Sequence, residues 1–118
     1  MSHAVQIYHN PRCSKSRETL ALLKDNGVEP DVVLYLDTPP DAATLKNLLK
    51  MLGMTSARGL MRQKEDLYKE LNLADSALSE NALIEAMIAH PKLIERPIVV
   101  KNGQARIGRP PEQVLEII

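Results

Sequence analysis

Phenylalanine and tryptophan are absent from this chain, and tyrosine occurs three times in 118 residues. The core must therefore be aliphatic, built from Leu, Ile, Val, Met and Ala. Net charge is also lacking, because 15 Lys and Arg face 15 Asp and Glu. That balance argues against the basic surface a bulk polyanion partner needs, so nucleic acid is not expected, although a local basic pocket stays possible. No run reaches the roughly 18 apolar residues of a transmembrane helix, so no membrane is expected. The first residues lack a basic segment followed by an apolar one, the mark of a secretory signal. Cysteine occurs once, at Cys13, and cannot form an internal disulfide. Together these absences predict a reducing, cytoplasmic compartment. No cluster of His and Cys has metal-ligand spacing, so neither a metal nor a bound cofactor is expected.

What is present suits one domain spanning residues 1–118, with 44% apolar residues for its core. A chain that completes its own domain is expected to be a monomer.

Val5 to Tyr8 reads as a strand that enters a turn at His9-Asn10-Pro11. A helical pattern begins at Ser14, with Leu20, Leu22 and Leu23 on one face and Gly27 as its stop. The continuous apolar run from Val32 to Leu36 predicts a second, buried strand. Thr38-Pro39-Pro40-Asp41 predicts a helix capped by Thr38, carrying Leu45, Leu48, Leu49 and Leu52 and ending at Gly53. Residues 57–73 predict one or two short helices. Ser79 caps another, with Leu83, Ile84, Met87 and Ile88 inward and Pro91 beyond its end. Asn102-Gly103 between two short apolar runs predicts a hairpin. Pro110-Pro111-Glu112 opens a last helix. The order βαβ, helical block, ββα predicts an α/β thioredoxin-like fold (βαβ…ββα) with a helical insertion; a different α/β sandwich is the competing arrangement.

Cys13 falls between the first strand and the first helix, inside His9-Asn10-Pro11-Arg12-Cys13-Ser14-Lys15-Ser16-Arg17. A helix N-terminus presents unpaired N–H groups and the positive dipole end. Arg12, Lys15 and Arg17 add charge. An ordinary thiol, with a pKa of about 8.5, is only about 3% thiolate at pH 7. Lowering that pKa by about two units takes about 2.7 kcal/mol, more than the roughly 0.3–2 kcal/mol of a helix end, so cations must supply the rest. The bland alternative is a small buried hydrophobe. A turn holding Pro, two Ser and three cations is a poor apolar pocket, which favours a reactive thiol.

The spacing excludes two other chemistries. A tyrosine-phosphatase-like loop needs Arg six positions after Cys, where Thr19 stands, and a Cys-x-x-Cys pair needs Cys where Ser16 stands. An oxidised or derivatised Cys13 must then be resolved by another molecule, with glutathione or glutaredoxin the natural candidates. Ser16 could bond the sulfur or cap the helix. Arg62, Arg96 and Arg109 each adjoin an ordered element. If they converge they would grip a tetrahedral oxyanion, and if not they are surface ion-pair partners. By analogy with thioredoxin-like folds, Pro97 is the candidate cis-proline.

These residues are familiar together. The segments 7–17, 34–40, 60–62, 95–100 and 107–112, with Cys13, Arg62, Arg96-Pro97 and Gly108-Arg109-Pro110-Pro111 in order, resemble the glutaredoxin-dependent arsenate reductase family over nearly the whole chain. The resemblance is nearest to its short, chromosomally encoded branch. It implies a thioredoxin-like fold with Cys13 as the catalytic nucleophile and Arg62, Arg96 and Arg109 as oxyanion ligands. His9 would help activate the thiol, while Ser16 and Arg17 are the neighbours expected to stabilise the thiolate. His3 and His90 match nothing functional. The implied reaction reduces arsenate, or a similar oxyanion, through a cysteine–arsenic adduct with glutathione as co-substrate and glutaredoxin as partner. The alternatives are a thiol oxidoreductase or deglutathionylase with another substrate, and a non-enzymatic Spx-like redox regulator. Ser16 breaks the Cys-x-x-Cys pair that such a regulator uses.

Overall fold

The computed structural model describes residues 5–118, so His3 lies outside the described residues. Among the described residues four strands, β1 (Val5–Tyr8), β2 (Asp31–Val33), β3 (Ile98–Lys101) and β4 (Gln104–Ile107), form one sheet in the order β2-β1-β3-β4. β1 runs parallel to β2 and antiparallel to β3, and β3 pairs antiparallel with β4. The thioredoxin-like α/β arrangement expected from the element order is what the chain adopts. The chain divides into two compact units: a sheet unit up to Thr38 and again from Arg96 to Ile118, and a helical unit, Pro39–Glu95. No helix of the described residues is long and apolar enough to cross a membrane.

In the sheet unit, helix α1 (Ser14–Asp25) crosses from β1 to β2. It ends where Asn26 caps it and Gly27 takes a φ of 77°, the left-handed conformation that glycine adopts without strain. Val5 and Ile7 of β1 and Val99 of β3 pack on Leu23 of α1, on Val114 of the closing helix and on Ile117, which caps it. That closing element, Pro111–Glu116, is a 3-10 helix. The hairpin turn is as expected, with Asn102 and Gly103 both at positive φ.

Two expectations need correction. The second strand is three residues long and lies at the sheet edge, with Val32 46% exposed. A strand paired on one side has no need of a two-sided apolar environment, so the run Val32 to Leu36 is not a buried strand. It turns after Val33, where Asp37 and Thr38 both donate to the Leu34 carbonyl, and Tyr35 alone of residues 32–36 is buried. The second correction concerns the cap of helix α2 (Ala42–Leu52), which is Asp41 rather than Thr38; its carboxylate accepts from the Thr44 N–H at 2.8 Å. Each proline disfavours the helical region for its predecessor, here Thr38 and Pro39, and the helix begins three residues later than a Thr38 cap would start it.

In the helical unit, α2 ends at Gly53 with a φ of 74°. A 3-10 helix (Ala57–Leu60), the short α3 (Asp66–Glu70) and α4 (Glu80–Ala89) follow. Ser79 caps α4 by accepting from the Ala82 N–H. Glu80 reaches back to Ser56 and to the Ala57 N–H, at 3.0 and 2.6 Å, and so ties α4 to the start of the 3-10 helix.

Candidate active site

The site follows from register. In the hairpin Lys101 pairs with Gln104 and Ile98 with Ile107. Extending that ladder by two pairs sets Arg96 opposite Arg109. In the other ladder Tyr8 pairs with Ile98, so the turn after β1 opens beside Arg96-Pro97. One end of the sheet therefore gathers residues 9–13, 96–97 and 108–109, which are remote in sequence.

Two hydrogen bonds close this end. The Gly108 N–H donates to the Pro97 carbonyl at 2.9 Å, and Arg109 Nε donates to the Arg96 carbonyl at 2.8 Å. Arg109 is thereby aimed, and its Nη2 lies 3.7 Å from Cys13 Sγ. The bonds before Pro97 and Pro110 are both cis; the second was not foreseen from the sequence.

Cys13 is the N-cap of α1, with backbone angles in the extended region and no side-chain hydrogen bond to the helix. Its thiol is half-exposed. Burial pushes the thiol pKa up. The Ser16 N–H, the charge of Arg96, the Lys15 N–H and the charge of Arg109 together outweigh that, so Cys13 is held below the ordinary thiol range. The helix end and two guanidinium groups thus favour thiolate, as the sequence suggested. The cations, however, come from the segments just before β3 and just after β4 rather than from the helix itself.

The polar neighbours in the turn have other work. Ser16 is fully buried, and its hydroxyl lies 2.6 Å from His9 Nδ1 and accepts from the Asn10 N–H at 3.0 Å. The Ser16 side chain therefore serves neither of the roles expected of it; the Ser16 backbone N–H is what faces the sulfur. His9 is buried, and burial together with the charge of Arg17 lowers its pKa, so it is neutral at pH 7. Its Nδ1 is directed to Ser16, which makes it a positioning residue for the turn. Arg17 donates from Nη1 to the Pro11 carbonyl at 2.9 Å and braces the turn instead of the sulfur.

Arg96 is buried, at 8% exposure. Arg62 belongs to the helical unit, where it bonds Glu65 at 2.9 Å and its N–H donates to the Leu93 carbonyl. His90 caps the C-terminal end of α4.

Sequence reasoning missed Thr19 and Gly108. Thr19 is fully buried and its hydroxyl donates to the Lys15 carbonyl at 2.8 Å. A Cβ on Gly108 would clash with Thr19 Oγ1 and lie 2.9 Å from Pro97 Cγ and 3.1 Å from Thr19 Cγ2, so only glycine lets the chain leaving β4 pass this close to α1. The available signal was Thr19 three residues after Ser16, a polar stripe on the inward face of α1.

The chain is similar to known proteins over nearly its whole length. The ArsC family pattern matches residues 8–117. A protein of Escherichia coli K12, named YfgD and described as uncharacterised, is 80% identical over 118 residues, covering 100% of this chain and 99% of its own. An arsenate reductase of Neisseria meningitidis serogroup B is 53% identical over 114 residues, covering 97% of each. Among solved structures, an arsenate reductase from Vibrio cholerae superposes with a TM-score of 0.95 at 66% identity, covering 97% of each chain.

Proposed function

The chain belongs to the ArsC family, and from that premise we propose that it is an oxidoreductase that reduces arsenate to arsenite with Cys13 as the nucleophile. The observation that supports this most is the half-exposed sulfur at a helix N-terminus, 3.7 Å from Arg109 and within the field of buried Arg96. Planar guanidinium forks bind tetrahedral oxyanions bidentately and remain charged, and they offset the charge that develops as sulfur attacks.

In this reading the Cys13 thiolate attacks arsenic(V) and one arsenate oxygen leaves as water. Cys13 has no second thiol in the chain, so glutathione adds to the adduct and a second oxygen leaves as water. A glutaredoxin thiolate then attacks the glutathione sulfur. The S–As bond to glutathione breaks, its electron pair reduces arsenic to the trivalent state, and a glutaredoxin–glutathione disulfide forms. Water hydrolyses the remaining Cys13–arsenic bond, releasing arsenite and restoring the thiol. The scheme needs a reducing compartment, such as the cytoplasm, and no oligomer.

The test is arsenate-dependent NADPH oxidation in the presence of glutathione, glutaredoxin and glutathione reductase. Turnover is expected from the native chain and none from Cys13→Ser. Equal turnover by that variant would remove the mechanism. Reductase activity on other disulfides that needs neither arsenate nor Arg96 would replace it with a general thiol oxidoreductase.

A further inference from the structure

We propose that a cavity beside the thiol-bearing turn is the site of the resolving thiol, a small peptide that carries both a free ammonium and carboxylates. The inference rests on the reading of Cys13 as a nucleophile that an external thiol must resolve. The cavity, of about 300 Å³, is lined on one side by turn residues 9–12 and on the other by Leu34, Leu36 and Asp37. The wall and the nucleophile share one turn, because the Cys13 N–H donates to the Asn10 carbonyl at 3.0 Å. A ligand here lies against the turn that presents the sulfur.

The lining specifies the chemistry. Leu34 and Leu36 are 40% and 39% exposed, an apolar surface for a short aliphatic chain. Arg12 and Asp37 bring opposite charges to the same cavity, and neither is ion-paired among the described residues. A simple oxyanion would be opposed by Asp37. A wholly apolar ligand would strip water from both charges without replacing it. A zwitterion satisfies both, with its ammonium on Asp37 and a carboxylate on Arg12. The volume lies at the lower end of the roughly 300–1,000 Å³ of small-ligand pockets, and three extended residues span about 10 Å, enough to carry a central thiol towards Cys13.

The test uses S-methylglutathione, whose thioether cannot react, with the native chain, read by calorimetry and by backbone NMR. Saturable binding is expected, with shifts at residues 9–12 and 34–37. Asp37→Asn and Arg12→Gln should each weaken it about tenfold, the value of one charge-assisted hydrogen bond. N-acetylation of the ligand amine should cost as much as Asp37→Asn, and the two together little more, because they remove the same contact. This ligand-side arm leaves the protein unaltered. No saturation at millimolar ligand overturns the inference, as does affinity indifferent to both substitutions, or shifts confined to Arg96 and Arg109 or to the β2 edge. The readout needs no turnover. Binding without arsenate reduction would sink the proposed function and spare this site, whereas glutathione-dependent turnover without binding here would do the reverse.

Discussion

Leu45, Leu48, Leu60, Leu83, Met87 and Leu93 fill the helical unit with aliphatic carbon, whereas the sheet unit takes His9, Ser16, Thr19 and Arg96 into its interior beside Ile7, Leu23 and Val99. Among the described residues, every buried polar or charged side chain lies in the sheet unit, within or facing the elements that hold Cys13. Burying such groups is unfavourable unless each finds a partner. In the helical unit packing decides the structure; at the thiol end of the sheet, packing is compromised to hold charge and hydrogen bonds in one geometry. If that contrast is right, mutations in the two units should fail in different ways.

The largest effect on chemistry is expected from Arg96→Ala. Loss of one preorganised charge partner typically costs about 10²–10³ in rate, and arsenate-dependent turnover should fall by that order. Removing the cation also raises the Cys13 pKa, so the rate of thiol alkylation against pH should shift to higher pH. The linked stability changes in the same sense. The native thiolate stabilises the fold above the ordinary thiol pKa, and that contribution is lost as pH falls through the lowered native value. Arg96→Ala should flatten this part of the stability profile. An unshifted alkylation curve would mean the buried guanidinium does not act on the sulfur.

Leu83→Ala tests the other unit. Leu83 is fully buried in α4, and truncation there should cost about 2–5 kcal/mol in chemical denaturation. The alkylation profile of the folded protein should not move. A shift comparable to that of Arg96→Ala would break the comparison.

Gly108→Ala comes next, at about 1–3 kcal/mol, because the new Cβ must displace Pro97 or Thr19 in a packed contact. Its mark would be a loss of stability together with a slower thiol, since the segment that joins β4 to Arg109 has to move. A neutral Gly108→Ala would show that β4 can retreat freely.

Much of this was legible beforehand. The βαβ order, the Asn102-Gly103 hairpin and the helices under Leu45 and Leu83 follow from apolar periodicity and turn chemistry, both of which are local. Cys13 was legible because a strand–turn–helix boundary is local too. Arg96 and Arg109 became a pair only through the register of β3 and β4, which the hairpin implies but spacing along the chain hides. The short edge strand β2 was misread because a continuous apolar run looks the same whether it is covered or leads into an exposed turn. Ser16 was rightly placed beside the sulfur, but it acts there through its backbone N–H, because its hydroxyl is taken by His9, seven residues away across the turn. Thr19 and Gly108 matter through a close approach of α1 to β4, and no one-dimensional pattern reports such a distance.

The smallest and sharpest test is Arg17→Ala, because sequence and structure disagree on what Arg17 does. Read as a neighbour in sequence, it stabilises the thiolate. In the structure it holds the Pro11 carbonyl and its charge faces His9. The alkylation profile of Cys13 should therefore stay close to that of the native chain, with a stability loss of about 0.5–1.5 kcal/mol for one hydrogen bond. The informative change lies on the acid side. His9 has a lowered pKa when folded, so the unfolded chain takes up its proton first. Stability is then complete above about pH 6.5 and declines as pH falls towards the native value. Removing the neighbouring cation lets the native His9 pKa rise, which narrows that gap and makes the acid-side decline shallower. A thiol profile displaced as far as in Arg96→Ala, with the His9 decline unchanged, would return Arg17 to the sulfur and dissolve the distinction between the turn's braces and its charges.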